Sequence, residues 1–264
     1  MDKIRKQNRY MIIGAMILLG ALLLWTIGFE IYARHAEKTE IIAEDISLVT
    51  LNLDNTSLYV EETGDEDISY TITRSKNIEW KMYGKELRIS ARGGILNVRI
   101  PEDLELQSIR IENSRESSYI YSIDVGELKV TTDGMLSIQD VDADRANLDV
   151  QNLEITSSEM NTLFISATDK VDITETDIGN LSLFIGDIDA TVLGGRIGNV
   201  KATSLSGSLE IEPENGISSI TVTGGASTIF IDGEESSSDD IVDIDNKDGA
   251  KIEFTSPKGS VRTC

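Results

Sequence analysis

The chain has 264 residues, of which 46 are acidic and 24 are basic, so its formal net charge at pH 7 is −22. A surface of this sign repels phosphate backbones, which argues against a nucleic acid as a partner. Hydrophobic residues make up 40% of the chain and aromatic residues only 5%, so we expect a core built from Ile, Val and Leu.

The N-terminal segment is typical of a membrane anchor. Residues 1–10 are rich in Lys and Arg, and no charged residue occurs in residues 11–29. As a helix this apolar run would be about 28 Å long, which matches the hydrocarbon thickness of a bilayer. The basic cluster before it favours a cytoplasmic N-terminus. We therefore expect a cytoplasmic basic tail at 1–10, a transmembrane helix in the lipid bilayer at 11–32, and the remaining residues outside the cell.

A cleavable signal peptide is the alternative interpretation of this segment. Its apolar region would be about 7 to 15 residues long and would be followed by small residues. Here the apolar run is longer, and Arg34 lies where a small residue is needed. An uncleaved signal anchor is the preferred interpretation, followed by a charged juxtamembrane stalk at 33–45 that contains His35, the single histidine.

From residue 46 onward the apolar residues recur with a period of two, which is typical of β-strands. Turn-forming segments separate these runs as far as Pro101, which ends a strand. The part at 46–101 has no fixed repeat length. We interpret it as an N-terminal β cap, because the bare end of a stack of repeats exposes a strand edge that invites aggregation.

After Pro101 the apolar residues occur as pairs separated by one residue, in two interleaved series. The first series includes Leu163/Ile165 and Leu183/Ile185. The second series includes Tyr119/Tyr121, Leu136/Ile138, Leu209/Ile211 and Ile229/Ile231, and the step from one pair to the next lengthens slowly along the chain. Each repeat therefore contributes at least two short strands.

Two units of equal length, 162–180 and 181–199, are the best-preserved repeats, and both end in Ile-Gly-Asn. The spacing between their early apolar pairs exceeds the spacing between their later pairs by one position. One residue must therefore be absorbed at a corner near 167–170 or 186–189.

The repeats predict an all-β fold: a single-stranded parallel β-solenoid at 102–258, with the N-terminal β cap before it and a flexible tail at 259–264. An antiparallel sandwich is the alternative. The sustained alternation of the two series favours the solenoid, because equivalent pairs would stack one repeat apart.

An acidic stretch at 239–249 supplies the candidate metal ligands, Asp243, Asp245 and Asp248. Calcium takes six to eight oxygen ligands, and this density of carboxylates could provide them. Asp243 and Asp245 alternate with Val242 and Ile244, and this pattern is equally typical of the outward face of a strand. The candidate ion is therefore Ca²⁺, and no other cofactor is predicted.

Residues suited to catalysis are scarce. With His35 beside the membrane and Cys264 at the C-terminus, no histidine-dependent triad or thiol nucleophile can form in the folded domain. No Trp or Tyr follows Tyr121, and the later phenylalanines are expected at or beside core positions; they are Phe164, Phe184, Phe230 and Phe254. A sugar-processing groove is not expected, and we predict that the chain is not an enzyme.

Three features of the sequence resemble those of a known family: the strand Ile95–Pro101, the segment Leu104–Ile111, and the glycine-led turns at 194–199 and 207–211. On these features residues 48–257 resemble the bacterial "putative adhesin" β-repeat family. The resemblance implies a β-repeat fold without catalytic residues. Gram-positive members with one N-terminal anchor resemble proteins encoded beside cell-envelope stress systems, which implies an envelope-facing binding or regulatory role.

These features predict a non-catalytic, membrane-anchored β-solenoid with an acidic ectodomain that binds or senses cell-envelope components. Envelope polymers are candidate partners, and so are cationic peptides, which the acidic exterior would attract. The alternative function is a structural module that pairs with another membrane protein through a strand edge. A polysaccharide hydrolase or lyase is the third hypothesis.

Overall fold

The structure, a computed structural model, describes residues 36–41, 46–75, 77–204, 206–223, 228–231, 234–236, 241–243, 249–255 and 260–263. The regular structure throughout these residues is β-strand, so the prediction of an all-β fold is confirmed for the part of the chain that they cover. No helix among them is long and apolar enough to cross a membrane. The predicted anchor and the basic tail before it lie outside the described residues.

Eighteen strands of the described residues form one sheet. They are β1 (Ala36–Ile41), β2 (Leu48–Thr63), β3 (Ile68–Thr73), β4 (Asn77–Tyr83), β5 (Glu86–Pro101), β6 (Leu106–Ser114), β7 (Ser118–Thr156), β8 (Glu159–Thr174), β9 (Asp177–Ile185), β10 (Ala190–Leu193), β11 (Ile197–Ser204), β12 (Ser208–Glu212), β13 (Ile217–Thr223), β14 (Thr228–Ile231), β15 (Glu234–Ser236), β16 (Ile241–Asp243), β17 (Ala250–Thr255) and β18 (Ser260–Thr263). β1 lies within the predicted stalk and pairs antiparallel with β3.

Alternation of apolar and polar residues decides which side chains enter the core. In β7, Leu128 and Val130 are buried, whereas Lys129 between them is exposed. The buried side chains pack into one core, and among its described members only Tyr70 and Phe254 are aromatic. The expectation of an aliphatic core is therefore confirmed.

Parallel pairing between successive passages of the chain builds the middle of the sheet; we call each passage a rung. Ile155 lies beside Ile173, Ile173 beside Val192, and Val192 beside Ile211, so members of the second apolar series stack on one another as predicted. The Ile-Gly-Asn ends of the two best-preserved repeats are also partners, with Asn180 beside Asn199. The predicted repeat spacing is confirmed for these rungs.

Close stacking explains the glycine in each Ile-Gly-Asn end. A Cβ atom at Gly179 would lie 2.6 Å from the carbonyl oxygen of Asn161, and one at Gly198 would collide with the carbonyl oxygen of Gly179. Beside them the Asn199 amide donates a hydrogen bond to Asn180 Oδ1 at 3.0 Å. A larger residue at either glycine would force neighbouring rungs apart.

The register of the first apolar series differs from the prediction. Leu163 lies beside Leu181 and Ile165 beside Leu183, so each residue pairs two positions earlier than the predicted stacking of Leu163 on Leu183. In the later strands of the same rungs, Val171 lies beside Ala190, as predicted. A one-residue slip is present, but its sign is opposite to the prediction: Leu163 and its partner Leu181 are 18 positions apart, whereas Val171 and its partner Ala190 are 19 apart. The extra residue therefore lies in the second of the two predicted corners, at 186–189.

Hydrogen bonds hold this longer corner against the next rung. Both the hydroxyl and the backbone N–H of Ser208 donate to Asp189 Oδ1, at 2.5 and 2.9 Å. These bonds favour the ionised carboxylate, so they hold the pKa of Asp189 below its ordinary value. The Ser206 hydroxyl donates to Asp187 Oδ1 at 2.8 Å in the same way.

The second apolar series begins one residue away from its predicted position. Tyr119 and Tyr121 point outward and are only partly buried, while Ser118 and Ile120 are the buried residues of that strand. Tyrosine tolerates both environments because its ring is apolar and its hydroxyl is polar, so hydrophobicity alone assigned it to the wrong face.

The N-terminal end of the sheet is mixed rather than purely parallel, which corrects the prediction of a continuous parallel solenoid behind a separate cap. β2 lies between β5 on one side and β6 and the start of β7 on the other, and all these pairings are parallel. β3 and β4 then pair antiparallel with the outer side of β5. An outermost strand has unpaired backbone groups, and these hairpin strands satisfy those of β5.

The C-terminal end has the same out-of-order arrangement. β17 pairs in parallel with both β11 and β13, and β18 pairs in parallel with both β12 and β14. Leu209 therefore lies beside Val261, not beside the pair Ile229/Ile231 that follows it in the predicted series. The tail predicted at 259–264 is accordingly wrong for Ser260–Thr263, because Val261 is fully buried in the core.

Candidate functional site

The parallel register arranges outward side chains in columns across the rungs. One column on the face formed by the first apolar series runs Asn147, Phe164, Ser182 and Lys201, each residue beside the next. The adjacent column runs Asp149, Ser166, Phe184 and Thr203. With Lys129 and Thr131 these columns line a shallow groove of about 570 Å³.

Two exposed phenylalanines occupy the middle of this groove. Phe164 is 37% exposed and Phe184 is 51% exposed, although each is flanked in sequence by buried Leu and Ile. They are diagonal neighbours, since Phe164 lies beside Ser182 and Phe184 lies beside Ser166. Strand spacing puts their Cα atoms roughly 8 Å apart. The two small serines on the other diagonal leave space between the rings.

Neighbouring exposed aromatic side chains are uncommon on a monomer unless they contact something. The positions on either side of each phenylalanine are buried, but the phenylalanines themselves are not. Burial in the core therefore does not explain these rings. Phe254, by contrast, is fully buried. The groove is therefore the strongest candidate for a binding site among the described residues.

The charge around the groove differs from that of the whole chain. Lys129 and Lys201 line it together with Asp149, its single lining carboxylate. The Arg145 guanidinium lies 5.4 Å from the centre of the Phe164 ring, within range of a cation–π contact. Glu127 accepts a hydrogen bond from the Asn147 amide at 3.4 Å. Glu253 lies beside Lys201 in the ladder, so three cations and three carboxylates leave the groove close to neutral on a chain whose total is −22.

A second aromatic cluster lies on the face formed by the second apolar series. The rings of Tyr59 and Tyr119 stack with centroids 4.8 Å apart and planes 11° apart, and Tyr121 stacks on Tyr119 at 6.3 Å. Burial, with the neighbouring tyrosine hydroxyls, raises the pKa of Tyr121. Nearby, burial raises the pKa of Glu62, whose carboxylate accepts the backbone N–H of Asp124 at 2.9 Å. The rings mainly stack on one another here, so this cluster is a weaker candidate than the groove.

The predicted metal ligands remain a prediction. Asp243 is the last residue of β16 and lies opposite Ser219, while Asp245 and Asp248 lie outside the described residues. Elsewhere, no group of three or more His, Cys, Asp or Glu side chains within the described ranges is placed to hold a metal ion. Because only Asp243 lies within the described residues, the structure does not test whether the three candidates form one site.

Phe164 and Phe184 were missed at the level of the sequence because every late phenylalanine was assigned to the core or its border. The signal that could have identified them is their position. Each is the middle residue of an apolar triad, Leu-Phe-Ile, in which the flanking residues face inward and the middle residue must face outward. A large apolar residue at an outward position in two adjacent repeats indicates a contact surface.

Solved structures of similar architecture include two bacterial proteins. One, from Parabacteroides distasonis, is described as a "putative lipid binding protein"; it has a TM-score of 0.56 and 12% identity over 87% of this chain and 97% of that chain. The other, a "putative adhesin" from Parabacteroides merdae, has a TM-score of 0.51 and 11% identity over 87% and 96%. This chain shares their fold.

At these identities the likeness concerns the fold alone. Neither protein-family models nor curated protein sequences give a match to the chain. The adhesin-like fold expected from the resemblance is supported, and neither of the two names describes an enzyme.

If the two phenylalanines serve binding, their truncation should leave the stability of the fold almost unchanged. We expect Phe184→Ser to change the free energy of unfolding by less than about 0.5 kcal/mol, because the ring is half exposed. The matched change Leu183→Ala should cost about 2–5 kcal/mol, because Leu183 is buried between rungs. Urea unfolding of the two variants measures both values. A loss at position 184 as large as that at 183 would assign the ring to the core.

Proposed function

We propose that the chain is a non-catalytic, membrane-anchored β-solenoid that binds an anionic cell-envelope component in the groove around Phe164 and Phe184. The observation that carries the proposal is the pair of exposed rings beside Lys129 and Lys201, on a chain that is otherwise strongly acidic. Aromatic faces favour apolar or carbohydrate surfaces, and the two ammonium groups favour phosphate or carboxylate.

Several features support a role in binding rather than catalysis. The groove is shallow and its single lining carboxylate, Asp149, has no carboxylate partner among the lining residues. Glycoside hydrolysis commonly needs two carboxyl groups on opposite sides of the scissile bond. The names of the structural neighbours, an adhesin and a lipid-binding protein, also describe binding proteins.

The location proposed for the groove is the outer side of the cell membrane. The support is the basic tail at 1–10 followed by the uncharged run at 11–29, together with the resemblance to anchored proteins encoded beside envelope-stress systems. A protein in that position would meet envelope polymers directly and could report their state to a membrane partner.

Protease added to intact cells tests this topology. Cleavage within residues 46–258 of the full-length protein before lysis is the expected result, because the groove domain would face the medium. Cleavage that occurs only after the cells are lysed would place the domain inside and would rule out an envelope ligand.

Binding should depend on both the rings and the cations of the groove. We expect full-length protein in nanodiscs to bind poly(glycerol phosphate), used as an anionic polymer probe, and Phe164→Ala/Phe184→Ala to weaken binding by about tenfold or more. Lys129→Glu should weaken it as well, and added salt should reduce the affinity of the native chain. Biolayer interferometry gives the affinities.

Lys170→Glu is the matched control for the charge change. Lys170 is exposed, pairs with Asp172 and lies outside the groove lining, so its reversal should leave the affinity unchanged. Equal binding by the native chain and by the groove variants would contradict the proposal. Binding of a cationic peptide that none of these substitutions alters would point instead to the acidic surface as the contact site.

A further inference from the structure

The strand β4 forms an exposed apolar edge at the N-terminal end of the sheet. Among the described residues its ladder partner is β5, which lies on one side of it. Trp80 lies opposite Ile89 and Met82 opposite Leu87, so both project toward the same side as those two buried core residues. Trp80 is nevertheless 42% exposed and Met82 is 40% exposed. These two side chains therefore lie at the border of the core and are partly exposed, although Leu87 and Ile89 beside them are fully buried.

The surface around this edge is basic. The described residues 74–75 and 77–92 contain five Lys or Arg residues and two Glu residues, a net charge of +3 within a chain of −22. Tyr83 is 53% exposed, and the Arg88 guanidinium lies 5.0 Å from the centre of its ring. Ion pairs link Lys81 to Glu79 at 3.7 Å and Arg88 to Glu86 at 2.9 Å, and both carboxylates are already included in this count. Arg92 pairs with Asp54 of β2 at 3.0 Å, which lowers the local charge by one and leaves it positive.

The acidic turn at 65–67 is displaced from this edge. It leads into β3, which pairs with the second half of β5, whereas β4 pairs with the first half. Gly93 and Gly94 separate the two halves, and both have positive φ angles, 70° and 90°, as expected at a corner. The apolar edge and its basic surroundings therefore lie on one face of the stack.

The chain's own path brings this end close to the predicted anchor. Ala36, the first residue of β1, lies opposite Thr73, and β4 begins shortly after Thr73, at Asn77. The predicted anchor ends at residue 32, and the short segment from there to Ala36 can span at most about 14 Å. If the anchor crosses a bilayer, the β4 edge must lie near the surface of that bilayer.

We propose that the β4 edge, with Trp80, Met82 and Tyr83, docks on the interfacial region of an anionic lipid bilayer, so that the stack stands with its N-terminal end on the membrane. This inference rests on the membrane anchor of the proposed function. Trp and Tyr favour the headgroup region of bilayers, and basic side chains are attracted to anionic lipids. The strongly acidic remainder of the chain would be repelled by the same surface, which favours contact through the end alone.

The two tryptophans of the chain allow the anchor and the docking edge to be tested separately. In full-length Trp25→Phe, Trp80 is the only tryptophan; in Trp80→Phe, Trp25 reports on the predicted anchor. Each protein is reconstituted in nanodiscs of phosphatidylcholine with or without phosphatidylglycerol, and fluorescence quenching by brominated lipids is measured. We expect Trp80 to be quenched more strongly in the discs that contain phosphatidylglycerol, and we expect high salt to remove that difference.

A charge-reversal pair supplies the control. Lys81→Glu/Lys85→Glu should abolish the lipid-dependent quenching of Trp80, whereas Lys170→Glu/Lys251→Glu, with the same change in charge further along the stack and outside the groove lining, should preserve it.

Each outcome of the quenching experiment is decisive. Stronger quenching of Trp80 in the anionic discs than in the discs of phosphatidylcholine alone supports the docking edge, whereas equal quenching in both overturns docking on anionic lipid. If Trp80 is quenched in this way and Trp25 is not, the anchor at 11–32 fails and the docking edge stands. Quenching of Trp25 without Trp80 overturns the docking edge and leaves the anchor and the proposed function intact. Absence of quenching at both positions overturns the docking edge and the anchor together.

Discussion

Parallel backbone hydrogen bonding between successive rungs is the constraint on which the rest of the structure depends. Because partners in a parallel ladder face the same way, one register determines both the buried column and the outward column beside it. The register between β8 and β9 places Phe164 beside Ser182 and Phe184 beside Ser166. The same ladder buries Leu163 and Leu183. The groove and the core are therefore two sides of one hydrogen-bond pattern.

A stack of parallel strands has two open ends, and this chain covers both by leaving sequence order. β2 is enclosed by β5 and β6, and β17 is enclosed by β11 and β13. Antiparallel partners then cover the outer strands: β3 and β4 on β5, and β16 on β13. Such covering limits edge-to-edge aggregation. It also leaves β4, an amphipathic strand, at the outer edge of the N-terminal end.

Much of the architecture could be predicted from periodicity. Local alternation and spacing in the sequence predict the all-β class, the aliphatic core, the nearly constant repeat spacing and the alignment of the Ile-Gly-Asn ends.

The register could not be predicted, and the reason is physical. Residues 181, 183 and 185 are all apolar, so the pair Leu163/Ile165 can be aligned equally well with either half of that triad. A shift of two positions keeps Phe164 and Phe184 on the outward face in either register, so alternation alone predicts their exposure. Only the register decides that they are diagonal neighbours and not direct partners. The order of strands at the ends was hidden for a similar reason: Ile220/Val222 and Ile252/Phe254 have the same pattern, and nothing local says which of them stacks on β11.

The measurement that tests the register of the groove most directly is disulfide formation across it. In a Cys264→Ser background, Ser166→Cys/Phe184→Cys places the two thiols on ladder partners about 4.8 Å apart at Cα, within the range that a disulfide allows. Phe164→Cys/Phe184→Cys places them on the diagonal, roughly 8 Å apart, which is too far. Efficient oxidation of the first pair only is the predicted result. Oxidation of the second pair but not the first would mean that Phe164 lies directly beside Phe184, and the groove with its diagonal rings would not exist.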